Sequence, residues 1–494
     1  MTSADTCGND CFVLTSMTIQ GVSAYPLADL AGTYDQNLAR KIGVADLVAT
    51  ADAITTRYRQ DGYFLTRAVV APGDHSTGAA YIVVYEGYLV DIQVTGAAAE
   101  KVWPILEPLK DGRALTVAML DHRLALASDI PGVTLTSRIE PVPDNPSQHR
   151  LVVTADLKRI EGGVYVDNRG SEAQGPWQAY VTASVNSAVV PGDQITVSAL
   201  TVPEDPQELS YGEVSYSALI AEETRLKASV STYATDAPAG SVGWLSGHSQ
   251  AASIAVTQML VRSRERSLWA SASLDVRKVE QTYQLLGGIE ERLTVARAML
   301  SGRLKLDAGY VAGSLQVSQG LDVFDATRTP SPDLTRSDAT GEFTKATFNV
   351  SAYRDIGRYM GVYGEAAGQW ASDPVLASEE FYVGGPGFGR AYDYGEISGD
   401  TGMAASVELR AGWDPQPRAI TFAQGYAFVD VGWVSNETSS GRIDADRVSA
   451  GFGTRITFED RVTFKVELAK PLTGSPDAEP ASGWRAFFGV SREF

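Results

Sequence analysis

One arginine stands out among the side chains that could do chemistry, because it lies alone in a long stretch of glycines and aromatic residues. The stretch Gly368–Thr401 reads GQWASDPVLASEEFYVGGPGFGRAYDYGEISGDT, and Arg390 is its only basic residue. A guanidinium is always charged and presents a rigid fork of donors that fits a carboxylate. Loops longer than about 12–15 residues are usually functional or disordered, and aromatic side chains argue against disorder. We therefore predict a folded loop that packs into another part of the protein.

The other residues that could support catalysis or bind a metal lack the necessary spacing. The histidines are scattered, at His75, His122, His149 and His248, and none has metal-ligand spacing to another histidine or cysteine. Glu379 and Glu380 are adjacent and would point to opposite sides of an extended chain. The sequence has no G-x-S-x-G, P-loop or H-E-x-x-H motif. It therefore predicts no enzyme, no metal site and no cofactor.

Length and charge narrow the class of protein. The 494 residues are enough for two or three domains. Lysine and arginine number 41 against 60 aspartates and glutamates, so the formal net charge is -19. This charge disfavours nucleic acid and anionic lipid head groups as partners. No continuous apolar run of about 18 residues is present, so no transmembrane helix is predicted. A transmembrane barrel stays possible, because its alternating segments give only a weak hydropathy signal.

Residues 1–12 form a predicted tail that contains the only two cysteines, Cys7 and Cys11. A disulfide between them would fit an oxidising compartment such as the periplasm. A free or metal-binding pair is the alternative, although two thiols alone make a poor zinc site. The tail has no basic segment followed by an apolar one, so we predict that the given chain carries no signal peptide.

Two units with the same order of elements fill the first third of the chain. The first unit, residues 13–87, has strand patterns at Cys11–Gly21, Tyr63–Val70 and Ala79–Gly87, a short helix after Pro26 and a longer helix at Val44–Gln60. The second unit, residues 88–157, has strands at Tyr88–Gly96, Val133–Val142 and His149–Leu157 and helices around Lys101–Leu109 and Thr116–Ser128. The repeat predicts two β-α-α-β-β modules, each with its helices on one face of a short sheet.

From residue 158 to residue 494, helical periodicity gives way to alternating segments of about ten residues separated by turns. In MAASVELRAGW and VTFKVEL, apolar residues take one face, and the pairs Glu408–Arg410 and Lys465–Glu467 take the other. Such strands suit a wall between lipid and a wet lumen. The pattern is too long for one sandwich, and it ends on the aromatic Phe494, as a closing barrel strand would. We predict a transmembrane barrel, with a tandem of soluble β domains as the alternative.

These patterns together resemble a known family, the outer-membrane transporters of two-partner secretion, which are the ShlB/FhaC/HecB-type members of the Omp85 superfamily. The two repeats resemble tandem POTRA domains. Tyr165–Asn186 resembles the DNxG-containing opening of the family's barrel, and Leu315–Phe324 with Leu334–Phe348 resembles its middle. The most specific match is GQWASDPVLASEEFYVGG, which is close to the family pattern GQ-x-S-x-x-x-L-x-x-S-E-x-F-x-x-GG.

The resemblance implies a 16-stranded antiparallel barrel with a long loop, residues 371–401, folded into its lumen. The family's VRGY at the loop tip corresponds here to Gly389, Arg390, Ala391 and Tyr392. Alanine resists φ > 0 where glycine accepts it, so Ala391 implies an altered turn at the tip. The family's second signature, F-x-D-x-G, is matched by Phe428, Asp430 and Gly432, which share one strand face. The resemblance implies that this face lines the lumen.

The two signatures suggest an ion pair between Arg390 and Asp430. An arginine inside a barrel needs an anion, because an unpaired buried charge costs several kcal/mol. A carboxylate on the lumen wall can accept the guanidinium fork in a bidentate pair. We expect this pair to anchor the loop inside the pore. The alternative is that Arg390 is a solvated loop charge.

The function that the resemblance implies is export of one large unfolded partner protein, such as an adhesin or haemolysin, across a Gram-negative outer membrane without ATP. The barrel would be monomeric and would contact the lipid bilayer, and the POTRA modules would lie in the periplasm. Such modules bind extended chains by strand addition, with the edge at Tyr63–Val70 and the helix ending at Gln60 as candidate surfaces. An Omp85-type assembly factor and a general diffusion porin are the alternatives.

Overall fold

The computed structural model describes residues 11–171, 175–238, 244–284, 287–413, 419–438, 441–474 and 483–494. The chain forms two compact units, Met1–Lys158 and Arg159–Phe494. Cys7 lies outside the described residues, so the predicted Cys7–Cys11 disulfide stays a prediction.

The first module of the N-terminal unit contains a three-stranded sheet covered by one long helix, and a separate two-stranded sheet. Its strands are β1 (Phe12–Val13), β2 (Ser16–Gln20), β3 (Lys41–Ile42), β4 (Arg67–Val70) and β5 (Ala79–Tyr85), and its helix is α1 (Val44–Gln60). The sheet order is β2-β5-β4, with β2 parallel and β4 antiparallel to β5. The predicted helix has the expected bounds, and its apolar face is buried through Leu47, Ala51, Ile54 and Tyr58. These side chains form the module's core because they recur at helical spacing.

Three elements of this module differ from the sequence-based expectation. The strand expected at Cys11–Gly21 is divided into β1 and β2. Between them, the side chain of Leu14 is buried, its N–H donates to the carbonyl of Arg40, and the N–H of Thr15 donates to the carbonyl of Gly78. The segment after Pro26 is the 3-10 helix Leu27–Thr33 and not an α-helix. The strand expected at Tyr63–Val70 begins only at Arg67, because its first four residues form turns on the end of α1.

The second module repeats the arrangement. It contains β6 (Tyr88–Thr95), α2 (Ala99–Leu106), α3 (Val117–Ser128), β7 (Val133–Pro141) and β8 (Gln148–Leu157). The sheet order is β6-β8-β7, with β6 parallel and β7 antiparallel to β8. Thr116 caps α3, since its hydroxyl accepts a hydrogen bond from the N–H of Met119 at 3.2 Å. In the part of the chain that the structure describes, none of the helices is both long enough and apolar enough to cross a membrane.

The second unit is a closed antiparallel barrel of sixteen strands, which confirms the expected strand number. The first eleven are β9 (Ile160–Asp167), β10 (Gln178–Asn186), β11 (Gln194–Thr201), β12 (Leu209–Ala221), β13 (Thr224–Pro238), β14 (Trp244–Arg262), β15 (Arg266–Tyr283), β16 (Gly287–Leu306), β17 (Gly309–Gly320), β18 (Thr344–Asp355) and β19 (Met360–Ala371). Two short strands, β20 (Phe381–Val383) and β21 (Ile397–Gly399), pair with each other outside the barrel order. The last five are β22 (Thr401–Gly412), β23 (Ile420–Thr438), β24 (Gly441–Phe458), β25 (Val462–Pro471) and β26 (Arg485–Glu493).

The two faces of the barrel wall differ as the period-two pattern predicts. Apolar side chains are exposed on the outer face, among them Val407, Val429, Val431, Phe464 and Phe488. Alternate residues on the same strands are polar or charged and buried on the inner face, among them Ser406, Glu408, Asp430 and Glu467. An apolar outer band with a polar interior is the arrangement that a transmembrane barrel requires.

Candidate functional site

The candidate site is the segment 371–401, which leaves the wall after β19 and returns to it at β22. Its short strands β20 and β21 pack on the inner face of the wall, where Val383 and Ile397 form an apolar cluster with Ala404 and Val434. The tip between these strands carries Gly389, Arg390, Ala391 and Tyr392. We refer to residues 371–401 as the luminal loop.

Arg390 binds Asp430 through a two-pronged contact. The Nε of Arg390 donates to Asp430 Oδ2 at 3.0 Å, and its Nη2 donates to Oδ1 at 2.7 Å. The backbone N–H of Arg390 also donates to Oδ2, at 3.0 Å. Asp430 is 0% exposed and Arg390 is 3% exposed. The guanidinium is therefore not a solvated loop charge, because water is excluded and the fork geometry fixes both partners.

The remaining donors and the face of the same guanidinium are also occupied. Nη1 donates to Glu408 Oε1 at 2.5 Å, and Nη2 donates to the Ser406 hydroxyl at 2.8 Å. The ring of Phe428 lies 3.5 Å from the guanidinium carbon, which gives a cation–π contact. Glu408 was visible in the sequence as an inward charge, but its role as a second acceptor for Arg390 was not predicted.

Arg169, which follows β9, holds the backbone of Arg390. Its Nη1 donates to the carbonyl oxygen of Arg390 at 3.4 Å, and its guanidinium stacks 4.0 Å from the ring of Phe487. It also forms a buried ion pair with Glu467, which accepts a further hydrogen bond from Tyr426 at 2.7 Å. Sequence reasoning missed Arg169, although it lies in the DNxG segment that resembles the family's first barrel strands.

Tyr392 and Ala391 seal the tip against the wall. Tyr392 is 1% exposed, and its hydroxyl donates to the carbonyl of Val448 at 2.9 Å and contacts the carbonyl of Thr473. Ala391 packs beside it in an apolar cluster with Phe428. The positive φ at the tip falls on Gly389, at +79°, and Ala391 is not among the residues with positive φ, so the turn does not require a glycine at residue 391.

Each residue of the F-x-D-x-G signature thus contacts the luminal loop. Phe428 lies against the guanidinium, and Asp430 receives its fork. Gly432 makes room for Val383, because a Cβ at residue 432 would lie 2.5 Å from Val383 Cγ1. The signature is therefore a receiving surface for the loop, built from alternate residues of β23.

Arg336 joins the luminal loop to the neighbouring long loop between β17 and β18. Its Nη1 donates to Asp400 at 2.6 Å and to Glu380 at 3.0 Å, both in the luminal loop. The same nitrogen donates to the side-chain oxygen of Asn436 on β23 at 2.9 Å. One cation thus ties the two loops to the wall. Arg336 lies in the segment Leu334–Phe348 that resembles the middle of the family's barrel, but its role was not predicted.

The rest of the inner wall has a different chemistry. Small hydroxyl side chains are successive cross-strand partners across β10 to β14, namely Ser184, Thr196, Ser215, Ser229 and Ser253. A cavity of about 330 Å³ separates the end of this row from Glu379 of the luminal loop. The lumen therefore has one side that binds the loop through charges and another side where a row of small hydroxyls runs beside the charged residues Glu213 and Lys227.

Phe494 lies at the seam where β26 closes on β9. Its backbone N–H and carbonyl form a reciprocal pair of hydrogen bonds with Gly162, both at 2.9 Å, and its side chain is exposed. A Cβ at Gly162 would lie 2.8 Å from the Phe494 ring, so the absence of a side chain at residue 162 leaves room for the ring.

Among the described residues, no group of histidine, cysteine, aspartate or glutamate has the arrangement of a metal site.

Comparison with known proteins agrees with this architecture. The model of the family described as haemolysin secretion/activation protein ShlB/FhaC/HecB matches residues 150–456, which is more than half of the chain. The chain belongs to this family. The ShlB-type POTRA domain model matches residues 12–87. ShlB/FhaC/HecB proteins are outer-membrane transporters for secreted partner proteins and not enzymes, and their POTRA domains lie in the periplasm.

Relatives within the family are distant in sequence but align with most of this chain. The outer membrane transporter CdiB of Escherichia coli is 24% identical over 450 residues, which cover 88% of this chain and 75% of CdiB. The hemolysin transporter protein ShlB of Serratia marcescens is 23% identical, with 95% of this chain and 84% of ShlB covered. The resemblance seen in the motifs is thus confirmed.

Solved structures show the same fold. CdiB from Escherichia coli superposes with a TM-score of 0.79 at 22% identity, over 100% of this chain and 92% of that chain. CdiB from Acinetobacter baumannii gives a TM-score of 0.66 at 18% identity, over 98% of this chain and 90% of that chain. These likenesses confirm the expected fold of a 16-stranded barrel with POTRA modules.

Proposed function

We propose that this protein captures one large unfolded partner protein in the periplasm and conducts it through the barrel to the cell surface without ATP. The POTRA modules bind the partner, the barrel conducts it, and the Arg390–Asp430 pair anchors the luminal loop during the cycle. An adhesin or haemolysin of the two-partner type is the expected class of partner.

The observation that carries this proposal is a polar lumen containing a loop held by buried charges. A passive diffusion pore has no need of a buried guanidinium with two carboxylate acceptors, since pairing buried charges brings little net stability. A loop that must keep one defined position and be released as a unit does need a specific contact such as this buried ion pair. The row of small hydroxyls on β10 to β14 would offer an extended chain weak polar contacts on that side of the lumen.

Two sheet edges of the N-terminal unit could receive the partner by strand addition. The predicted edge is β4, but it has only four residues, and the hydroxyl of Thr55 on α1 already accepts the N–H of Ala68 at 2.9 Å. The edge β7 has nine residues and pairs only with β8 in its sheet. A longer edge offers more main-chain hydrogen bonds, so β7 is the better receiving strand.

Because no nucleotide-binding motif is present in the sequence, we assign the driving force to folding of the partner outside the cell. A folded product cannot return through a lumen narrowed by the luminal loop. Capture by strand addition tolerates many partner sequences, because main-chain groups carry it.

The deciding experiment is co-expression with a large secreted protein encoded beside this gene. Export of that protein should depend on this chain, and Arg390→Ala and Asp430→Ala should each reduce it strongly while the barrel still assembles. The matched control is Arg442→Gln, which breaks an exposed ion pair with Asp444 on β24 and leaves the loop untouched. Normal export by both anchor variants would contradict the anchoring role. Impaired insertion of other barrel proteins, with no exported partner, would favour an assembly factor.

A further inference from the structure

A second charged cluster holds the luminal loop, and its polarity is the reverse of the first. Glu379, in the 3-10 turn Ala377–Glu379, is 4% exposed. It receives the fork of Arg297 from β16, with Nη2 to Oε1 at 2.7 Å and Nη1 to Oε2 at 3.2 Å. Lys345 of β18 adds its Nζ at 2.7 Å from Oε2. Here the loop supplies the anion and the wall supplies the cations.

The backbone at the same residue is bound as well. The carbonyl of Glu379 accepts hydrogen bonds from Lys345 Nζ at 2.8 Å and from Gln369 Nε2 of β19 at 2.9 Å. Arg297 is itself held by Asp275, whose Oδ2 accepts its Nε at 2.9 Å. Three wall strands therefore fix one residue of the loop, two of them through charged side chains and the third through Gln369.

The two clusters bind different parts of the loop to different parts of the wall. Arg390 contacts side chains on β22 and β23, whereas Glu379 contacts side chains on β16, β18 and β19. No described side chain is shared between the two sets of contacts. The first arm of the loop, residues 371–380, is thus held independently of the tip.

We propose that Glu379 is a positioning residue that keeps the first arm of the luminal loop closed against β16–β19 when the tip is released from Asp430. This inference rests on one part of the proposed function, which is that the luminal loop obstructs the pore. Removing the charge of Glu379 leaves Lys345, which is 6% exposed, with no carboxylate at its ammonium group among the described residues. An unpaired buried cation drives that arm off the wall.

A cysteine at residue 378 reports on this arm. The hydroxyl of Ser378 is buried and makes no hydrogen bond in the described structure, so a thiol can replace it without breaking a contact. The full chain carrying Ser378→Cys is inserted in liposomes and treated with a water-soluble methanethiosulfonate reagent. Protein without the new cysteine gives the labelling background. We expect slow modification, accelerated at least tenfold by Glu379→Gln and changed less than twofold by Arg390→Ala.

Two controls make the outcome decisive. Arg442→Gln should leave the labelling rate unchanged, because its pair with Asp444 is exposed and neither residue contacts Glu379. Heat-modifiable migration in electrophoresis verifies that each variant is a folded barrel. Equal acceleration by Arg390→Ala and Glu379→Gln would overturn the proposal, as would no acceleration by Glu379→Gln. Labelling needs no partner protein. If Glu379→Gln accelerates labelling as expected but no partner protein is exported in cells, the proposed function is contradicted and the role of Glu379 is not.

Discussion

Val383 of the luminal loop occupies the space that a side chain at Gly432 of the barrel wall would need. A Cβ at residue 432 would lie 2.5 Å from one methyl carbon of Val383 and 2.8 Å from the other. Real Cβ atoms do not approach other atoms so closely, so the absence of a side chain lets β20 lie directly on β23. The glycine of the F-x-D-x-G signature is therefore explained by steric fit to the loop.

Gly432→Ala should displace the loop from the wall and reduce export. The added methyl group must push Val383 away, which strains the contact of Arg390 with Asp430 on the same strand. Val383→Ala removes the clashing methyl groups, so the double variant should export better than Gly432→Ala alone. Export is measured as the amount of partner protein at the cell surface.

The control for this prediction is Gly212→Ala on β12. A Cβ at residue 212 would lie 3.9 Å from Thr232, an ordinary van der Waals contact, so this variant should export normally. Equal defects at residues 212 and 432 would show that any added methyl group in the wall disturbs the barrel. Absence of rescue by Val383→Ala would contradict the steric explanation.

Loss of Arg390 should destabilise the barrel mainly through the carboxylate that it leaves behind. Glu408 retains Arg410 and Arg455, but the only other side-chain group on Asp430 in the described structure is the hydroxyl of Ser449, at 3.1 Å. Removing one partner of a buried pair costs about 3–5 kcal/mol. Adding Asp430→Asn to Arg390→Ala should recover part of this free energy of unfolding, because a neutral amide costs less to bury.

Urea unfolding in detergent micelles, followed by tryptophan fluorescence, measures this recovery. Export should stay low in the double variant, because it restores neither the guanidinium of residue 390 nor the carboxylate of residue 430. Arg390→Lys provides a further check, because a lysine keeps the charge but cannot form the bidentate contact. A double variant less stable than Arg390→Ala would contradict the role assigned to the unpaired carboxylate.

Partner capture at β7 can be tested with proline. Val142 donates its N–H to Gln148, and the pairing of β7 with β8 alternates, so the N–H of Ser137 points away from β8. Ser137→Pro removes that donor without breaking a bond between β7 and β8, and proline is tolerated on such edges. Affinity for the partner's N-terminal region should fall at least tenfold, whereas Ser137→Ala should bind normally. Equal affinity of both variants would exclude β7 as the receiving strand.

Much of this fold could be predicted because two simple periodicities govern it. The face of α1 formed by Leu47, Ala51, Ile54 and Tyr58 follows from helical spacing, and the inward position of Glu408 and Asp430 follows from strand alternation. The Arg390–Asp430 contact could be anticipated because both residues lie in recognisable motifs and have complementary chemistry. Glu379 and Glu380 bind different cations, Arg297 and Arg336, but Glu379 lies in a 3-10 turn, so strand alternation does not explain this difference.

Contacts that depend on the stagger of the barrel could not be predicted. Arg297 and Glu379 are 82 residues apart, and Arg336 and Asp400 are 64 apart, with no motif to join them. Their meeting depends on how far each strand is shifted against the next and on how the loops fold over the lumen. The turn at the tip could not be predicted for a different reason: the position of a glycine does not by itself reveal which residue of a turn needs φ > 0.

The first POTRA module should lose stability in acid through Glu86. Burial opposes the charged form of this residue, but hydrogen bonds from Ser23, the Tyr58 hydroxyl and the N–H of Ala24 outweigh burial and hold the pKa of Glu86 below its usual value. Since the folded pKa is lower than the unfolded one, the stabilisation is complete above about pH 4.3 and is lost as the pH falls through the folded pKa. Glu86→Gln should lower the module's opening free energy at pH 7 by about 1.5–3 kcal/mol.

Hydrogen exchange of the full chain, corrected for intrinsic rates, measures the opening free energy of α1 and β5 at each pH. The difference between the parent chain and Glu86→Gln should be constant from pH 7 to pH 5 and should shrink below that. Asp74→Asn is the control, because this carboxylate has a lowered pKa but is fully exposed in a turn, and its main contact is with Ser76. A difference that stays constant down to the acid limit would show that Glu86 stabilises the module by packing and not by its charge.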